Sequence, residues 1–131
     1  DLLQLDPGGR VLIQAQRAGQ EVIIGGVRDP QAGPVVMVGL GGVLVEVLAD
    51  VVFRMAPIDA EEAGEALRSL RGYPVLAGAR GRQGVDLDAL ARTLASASRL
   101  LVAVGEISEL DLNPVLASPR GATAVDLRIV V

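Results

Sequence analysis

Cysteine, histidine and lysine are all missing from this 131-residue chain. Without cysteine there can be no disulfide, no thiolate nucleophile and no zinc–thiolate site. Without histidine there is no imidazole base and no Ser-His-Asp triad. Without lysine there is no Schiff base, and the lysine-bearing P-loop motif cannot be built. Aromatic residues make up only 2% of the chain, with no tryptophan, one tyrosine and one phenylalanine. Val, Leu, Ile and Ala must therefore fill the interior. The 12 basic residues are all arginines, scattered among 16 acidic residues for a formal net charge of -4. No polybasic nucleic-acid surface is visible, and no nucleic-acid partner is expected. A few local groups and a cation can still handle a phosphate. The richest apolar run, Val35 to Val45, is broken by glycines and far shorter than the roughly 20 residues of a membrane span. With no signal peptide ahead of the first strand, a cytoplasmic chain with no membrane partner is expected.

The apolar fraction is 50%, and the length suits one domain with a single core over residues 1–131. The chain begins at Asp1 without a methionine, which fits a fragment of a larger protein. Val11 to Gln16 and Glu21 to Val27 are β-rich runs joined by the polar Arg17-Ala18-Gly19-Gln20, and they predict a hairpin. Asp29-Pro30-Gln31-Ala32-Gly33-Pro34 is a turn cluster, and Val35 to Val38 a third strand. Val43 to Leu48 and Val51 to Met55 predict further strands around Asp50. Asp59 with Glu62 has capping-box spacing and starts a helix running to about Leu70. Gly72 to Gly84 is turn-rich. A second helix, capped by Asp86 or Asp88, would bury Leu87, Leu90, Ala91, Leu94, Ala97 and Leu101 and end near Gly105. Two final strands follow. The fold class is α+β: a mostly antiparallel sheet with two helices packed on one face.

The most telling segment is Glu109-Leu110-Asp111-Leu112-Asn113-Pro114. In a strand, Asp111 and Asn113 share one face while Leu110 and Leu112 take the other. A carboxylate beside an amide oxygen is a hard-oxygen site suited to Mg²⁺, which shares its shell with substrate phosphates. Asp126 lies on the returning strand. A loop of even length centred between Pro119 and Arg120 would place Asn113 opposite Asp126 and Asp111 opposite Arg128. A type I turn with Gly121 in a bulge would instead place Leu127 opposite Asn113. The competing reading of this patch is a solvated face with an Asp111–Arg128 cross-strand pair.

Gly39-Leu40-Gly41-Gly42 lacks the third glycine or alanine of the dinucleotide fingerprint, because Leu44 stands there. It serves either as a turn or as a backbone loop approaching a phosphate or adenine. Glu21 opens a strand. Glu46 and Asp50 sit in apolar surroundings and need partners, for which Arg54 and Arg80 are the candidates.

Taken in order, Gly19-Gln20-Glu21-Val22-Ile23-Ile24-Gly25, Asp29-Pro30, Gly33-Pro34-Val35-Val36-Met37 and Gly39-Leu40-Gly41-Gly42 form a recognisable series. Glu46, Asp50, Arg80-Gly81, Glu109 to Pro114 and Ala124-Val125-Asp126 continue it. The series resembles the C-terminal lobe of the ATP-grasp domain of NDP-forming acyl-CoA synthetases: the ADP-forming acetate–CoA ligases and relatives of the succinyl-CoA synthetase β subunit. The resemblance implies ATP/ADP and Mg²⁺ as cofactors. It casts Gln14, Ala15 and Gln16 as the hinge at adenine, Glu21 as the ribose-binding acid, and Gly41 and Gly42 as the loop closing near the nucleotide. It casts Asn113 and Asp126 as Mg²⁺ ligands with Asp111 as their acidic partner, and it favours the even-length register. The implied parent converts ATP, a carboxylic acid and CoA to acyl-CoA, ADP and phosphate through a phosphorylated histidine. The implied partners are the N-terminal ATP-grasp lobe and the CoA-binding domains of that parent. Without that lobe's lysine, lid and histidine, the isolated chain is expected to be inactive as a ligase. A non-catalytic regulatory module of the same fold, fused to a protein acyltransferase, is the alternative. Two positions depart from the family pattern: Ala32 replaces the usual phenylalanine and Gln16 the common methionine.

Overall fold

Val22, Ile24 and Gly26 are buried while Glu21 and Val27 are exposed, the period-two signature of a strand covered on one face. In the computed structural model, which describes residues 14–42, 49–81 and 83–131, that strand is β1, Gln20–Asp29. It is followed by β2 (Gly33–Leu40), β3 (Val51–Met55), helices α1 (Ala60–Arg68), α2 (Tyr73–Ala77) and α3 (Leu87–Ala103), then β4 (Glu109–Ser118), β5 (Gly121–Ala124) and β6 (Arg128–Val130). The strand order is β3-β2-β1-β4-β5, with β6 also paired to β4, and all these pairings are antiparallel.

Local chemistry fixes the joints. The Asp29 carboxyl accepts hydrogen bonds from the backbone N–H groups of Ala32 (2.7 Å) and Gln31 (2.8 Å), closing the turn into β2. Gly33 completes it at φ +86, a conformation that glycine adopts without a Cβ clash. Asp59 and Glu62 form a reciprocal capping box at the start of α1. Asp86 caps α3 by accepting from the Ala89 N–H at 2.8 Å. Arg28, at the far end of β1, donates to the carbonyls of Leu101, Val104 and Ile107, so a cation from the sheet caps the C-terminal end of α3.

The core lies between the sheet and the helices. Val22, Ile24, Val36, Val38, Leu40, Leu110, Val115 and Ala117 from the sheet meet Ala63, Leu67, Leu90, Leu94 and Leu101 from the helices. Each buried Val, Leu or Ile side chain among them contributes about 1.5–3 kcal/mol by leaving water. The opposite face carries no helix among the described residues. It displays Phe53 (59% exposed) and Met55 (54%) beside polar side chains.

Three expectations need correction. Of the predicted Val11–Gln16 strand, Val11 to Ile13 lie outside the described residues. Gln14 to Gly19 are irregular, and β1 pairs with β2 and β4 instead of with a preceding hairpin arm. The turn-rich stretch after Gly72 contains a third helix, α2. Its five residues are bounded by Pro74 in the first turn and Gly78 at φ 98, too short a span for helical periodicity to register. The first helix stops at Arg68 with Ser69 as its cap, before Leu70. The predicted strand Val43–Leu48 lies outside the described residues.

Candidate functional site

Two groups of candidate residues lie on the adjoining strands β1, β2 and β4 and the strand returning from β4. Glu21, the second residue of β1, is exposed on the helix-free face, because its neighbour Val22 faces the core. The β1–β2 ladder ends at Val22 opposite Leu40, which brings Gly41 and Gly42 directly against Glu21. The Gly41 N–H donates to the Glu21 carbonyl at 2.7 Å. A Cβ on Gly41 would stand 2.7 Å from the Glu21 Cβ, and a Cβ on Gly42 would stand 3.0 Å from the Glu21 carboxyl. Gly42 also has φ +70. Both positions therefore need glycine, one for close approach and one for backbone conformation as well.

The second group sits on β4 and the strand that returns from it. Pairing of Val115 with Ala124 on one side, and of Asp111 with Arg128 on the other, establishes the even-length hairpin register. Asn113 lies two residues from Val115 and from Asp111, and Asp126 two residues from Ala124 and from Arg128, so they occupy the same level. No ladder bond joins them there, because the chain is irregular between Ala124 and Arg128. β4 carries a bulge at this level. Val22 opposes Val115 and Ile24 opposes Leu112, leaving Asn113 and Pro114 against Ile23 alone. The bulge resets the alternation, so Leu110, Val115 and Ala117 all reach the core while Asp111 stays half-buried and Asn113 exposed. Leu112 and Leu127 line one groove against α3, and Asn113 and Asp126 beside them are exposed.

The electrostatics differ from the expected pairings. Arg128 stands opposite Asp111, yet its guanidinium donates to Glu109 at 2.8 Å. Both partners are exposed, so this ion pair adds little to stability. The Asp126 carboxyl accepts from the N–H of Leu127 at 2.8 Å. Asp50 is buried, and among the described residues its partners are the N–H groups of Arg71 (2.9 Å) and Gly72 (2.7 Å). Arg54 donates to the carbonyl of Phe53. Glu46 and the side chain of Arg80 lie outside the described residues. Among the described residues, no three His, Cys, Asp or Glu side chains cluster closely enough to hold a metal ion on their own. A cation here must draw on the Asn113 amide and on oxygens brought by a ligand, a donor set that suits Mg²⁺ bound to phosphates.

An ATP-grasp domain model matches residues 7–131. The chain is 46% identical over 126 residues to the beta subunit of ADP-forming acetate–CoA ligase I from Pyrococcus furiosus, covering 96% of this chain and 54% of that subunit. It is 47% identical over 122 residues to ADP-forming acetate–CoA ligase I from Archaeoglobus fulgidus, covering 92% of this chain and 18% of that protein. The chain belongs to the ATP-grasp family. A solved acetyl-coenzyme A synthetase from Ca. Korarchaeum cryptofilum, complexed with coenzyme A and Mg-AMPPCP, superposes with a TM-score of 0.83 at 46% identity. That match covers 88% of this chain and 55% of the other. The chain thus spans about half of the P. furiosus subunit and less than a fifth of the A. fulgidus protein.

Within this ATP-grasp fold, Gln14, Ala15 and Gln16 form an exposed irregular segment leading to β1. Gln16 lines a groove of about 580 Å³ with Arg17, Leu116, Ser118, Arg120 and Thr123. Leu116 is the residue paired with Glu21, so the groove adjoins the Glu21–Gly41–Gly42 corner. Leu116 and Thr123 reach this groove only through the long-range β1–β4 and β4–β5 pairings, which no local sequence pattern announces. A second groove, of about 220 Å³, has Gly25, Met37, Phe53 and Asp111 on its walls.

Proposed function

We propose that this chain is the nucleotide- and Mg²⁺-binding lobe of an ADP-forming acyl-CoA synthetase, and one structural unit of a larger protein. The observation that supports the reading is a convergence on adjoining strands. Glu21 with its glycine corner is exposed on β1, and on the neighbouring β4 hairpin Asn113 shares one register level with Asp126. The kinship with ADP-forming acetate–CoA ligases supports the reaction class: ATP, a carboxylic acid and CoA give acyl-CoA, ADP and phosphate.

Each residue then has a task that its chemistry suits. Gln14 to Gln16 present backbone and amide groups to adenine. The Glu21 carboxylate accepts hydrogen bonds from ribose hydroxyls. Gly41 and Gly42, lacking side chains, let the backbone approach the nucleotide. Asn113 and Asp126 hold Mg²⁺ with Asp111 as their acidic neighbour, and the ion supplies charge neutralisation on the phosphates. No residue of this chain can carry a phosphohistidine, so the phosphoryl relay and the lysine that grips the phosphates must come from elsewhere in the parent.

Calorimetric titration of Mg·ATP into the full-length protein tests the assignment. Asn113→Ala is expected to weaken binding by about tenfold, or about 1.4 kcal/mol. Equal heat and affinity from both proteins would remove Asn113 from the metal site.

A further inference from the structure

Asp50 is a buried carboxyl group that the proposed chemistry does not use, only 6% exposed and next to Ala49 at φ 44. A left-handed alanine is uncommon, and such strain persists where the surroundings demand it. Here the demand is visible. One Asp50 oxygen accepts from the Arg71 N–H at 2.9 Å and the other from the Gly72 N–H at 2.7 Å. These are backbone groups of the turn between α1 and α2. Gly72 presses on the end of β2: a Cβ there would lie 2.0 Å from the Leu40 Cδ1 and 3.2 Å from the Asp50 carboxyl. Leu40 is itself buried and is followed by Gly41, whose N–H is bonded to the Glu21 carbonyl.

From this chain of contacts we infer that Asp50 is a positioning residue for the glycine corner beside Glu21. It anchors the far end of the connection leaving Gly42 and, through Gly72 and Leu40, braces the near end against the helix layer. Leu40 before the corner and Asp50 beyond it thus both contact the same turn. The role rests on the proposed nucleotide site, since positioning matters only if Gly41 and Gly42 approach a ligand. Asparagine at position 50 retains the shape but offers one acceptor and one donor to two N–H groups, so one hydrogen bond is lost and two donors face each other.

Peptide-resolved hydrogen exchange on the full-length protein, combined with Mg·AMPPCP titration, tests this. Asp50→Asn is expected to speed exchange in the peptide covering residues 36–42 while leaving residues 87–103 of α3 unchanged. Mg·AMPPCP affinity is expected to fall about tenfold, as loss of one hydrogen bond to a charged group implies. Gly72→Ala, which pushes Leu40 from the other side, is expected to give the same local pattern and stands in if Asp50→Asn does not fold. Unchanged exchange at residues 36–42 would overturn the inference. So would an equal rise in α3, which would make Asp50 a general stabiliser. If the exchange pattern is as expected but the unmodified protein binds no Mg·AMPPCP, the positioning stands and the nucleotide reading fails.

Discussion

Asp29 shows how one side chain can be read from sequence through to a pH dependence. Its carboxyl is held below the ordinary carboxylate value of 3.8 by hydrogen bonds from the Ala32 and Gln31 N–H groups. A depressed native pKa adds stability that is present above 3.8 and lost as the pH falls through the native value. Thermal melts of Asp29→Ala are therefore expected to run slightly below the unmodified protein at pH 7. The two curves should converge under strongly acidic conditions, and a gap that persists there would mean the turn is held by something else. The Asp29-Pro30 and Gly33-Pro34 pattern made this joint legible, because an Asx turn is chemistry between near neighbours. Asp50 was legible only as an acid in need of a partner. Its partners are backbone groups more than twenty residues away, and no local pattern announces a backbone donor.

At the scale of elements, legibility follows the range of the interaction. The capping box at Asp59 and the Asp86 cap depend on residues three apart, and both helices begin where those signals stand. The hairpin from β4 to β5 follows the even-length register. The bulge at Asn113 and Pro114 is different, since two residues facing one can be recognised only from the partner strand, β1. α2 was hidden by its brevity. The junction of α3 with the segment before α1 was also hidden: Ser98, fully buried in α3, accepts from the Ile58 N–H at 2.7 Å. Ser98→Ala would leave that buried donor unpaired at a cost of about 1–3 kcal/mol in denaturant unfolding. A loss below about 0.5 kcal/mol would mean that water or a shifted backbone replaces the hydroxyl.

For the whole molecule, the decisive asymmetry is between the two faces of the sheet. One is covered by α1, α2 and α3, and the other exposes Phe53 and Met55, with Glu21 and Asp111 on the same face of neighbouring strands. An apolar floor with acidic and amide oxygens at its edges suits a flat base and a metal-bound polyphosphate. The chain spans about half the length of the P. furiosus subunit. Lacking histidine and lysine, this chain can itself carry neither a phosphohistidine nor a lysine contact to phosphate. The most direct test is a crystal structure of the full-length protein with AMPPCP and Mn²⁺ replacing Mg²⁺, the ion located by its anomalous signal. The account predicts the ion on the helix-free face, at about 2.0–2.3 Å from oxygens of Asn113 and Asp126 and of the phosphates. An ion bound to the nucleotide but touching neither residue would contradict it.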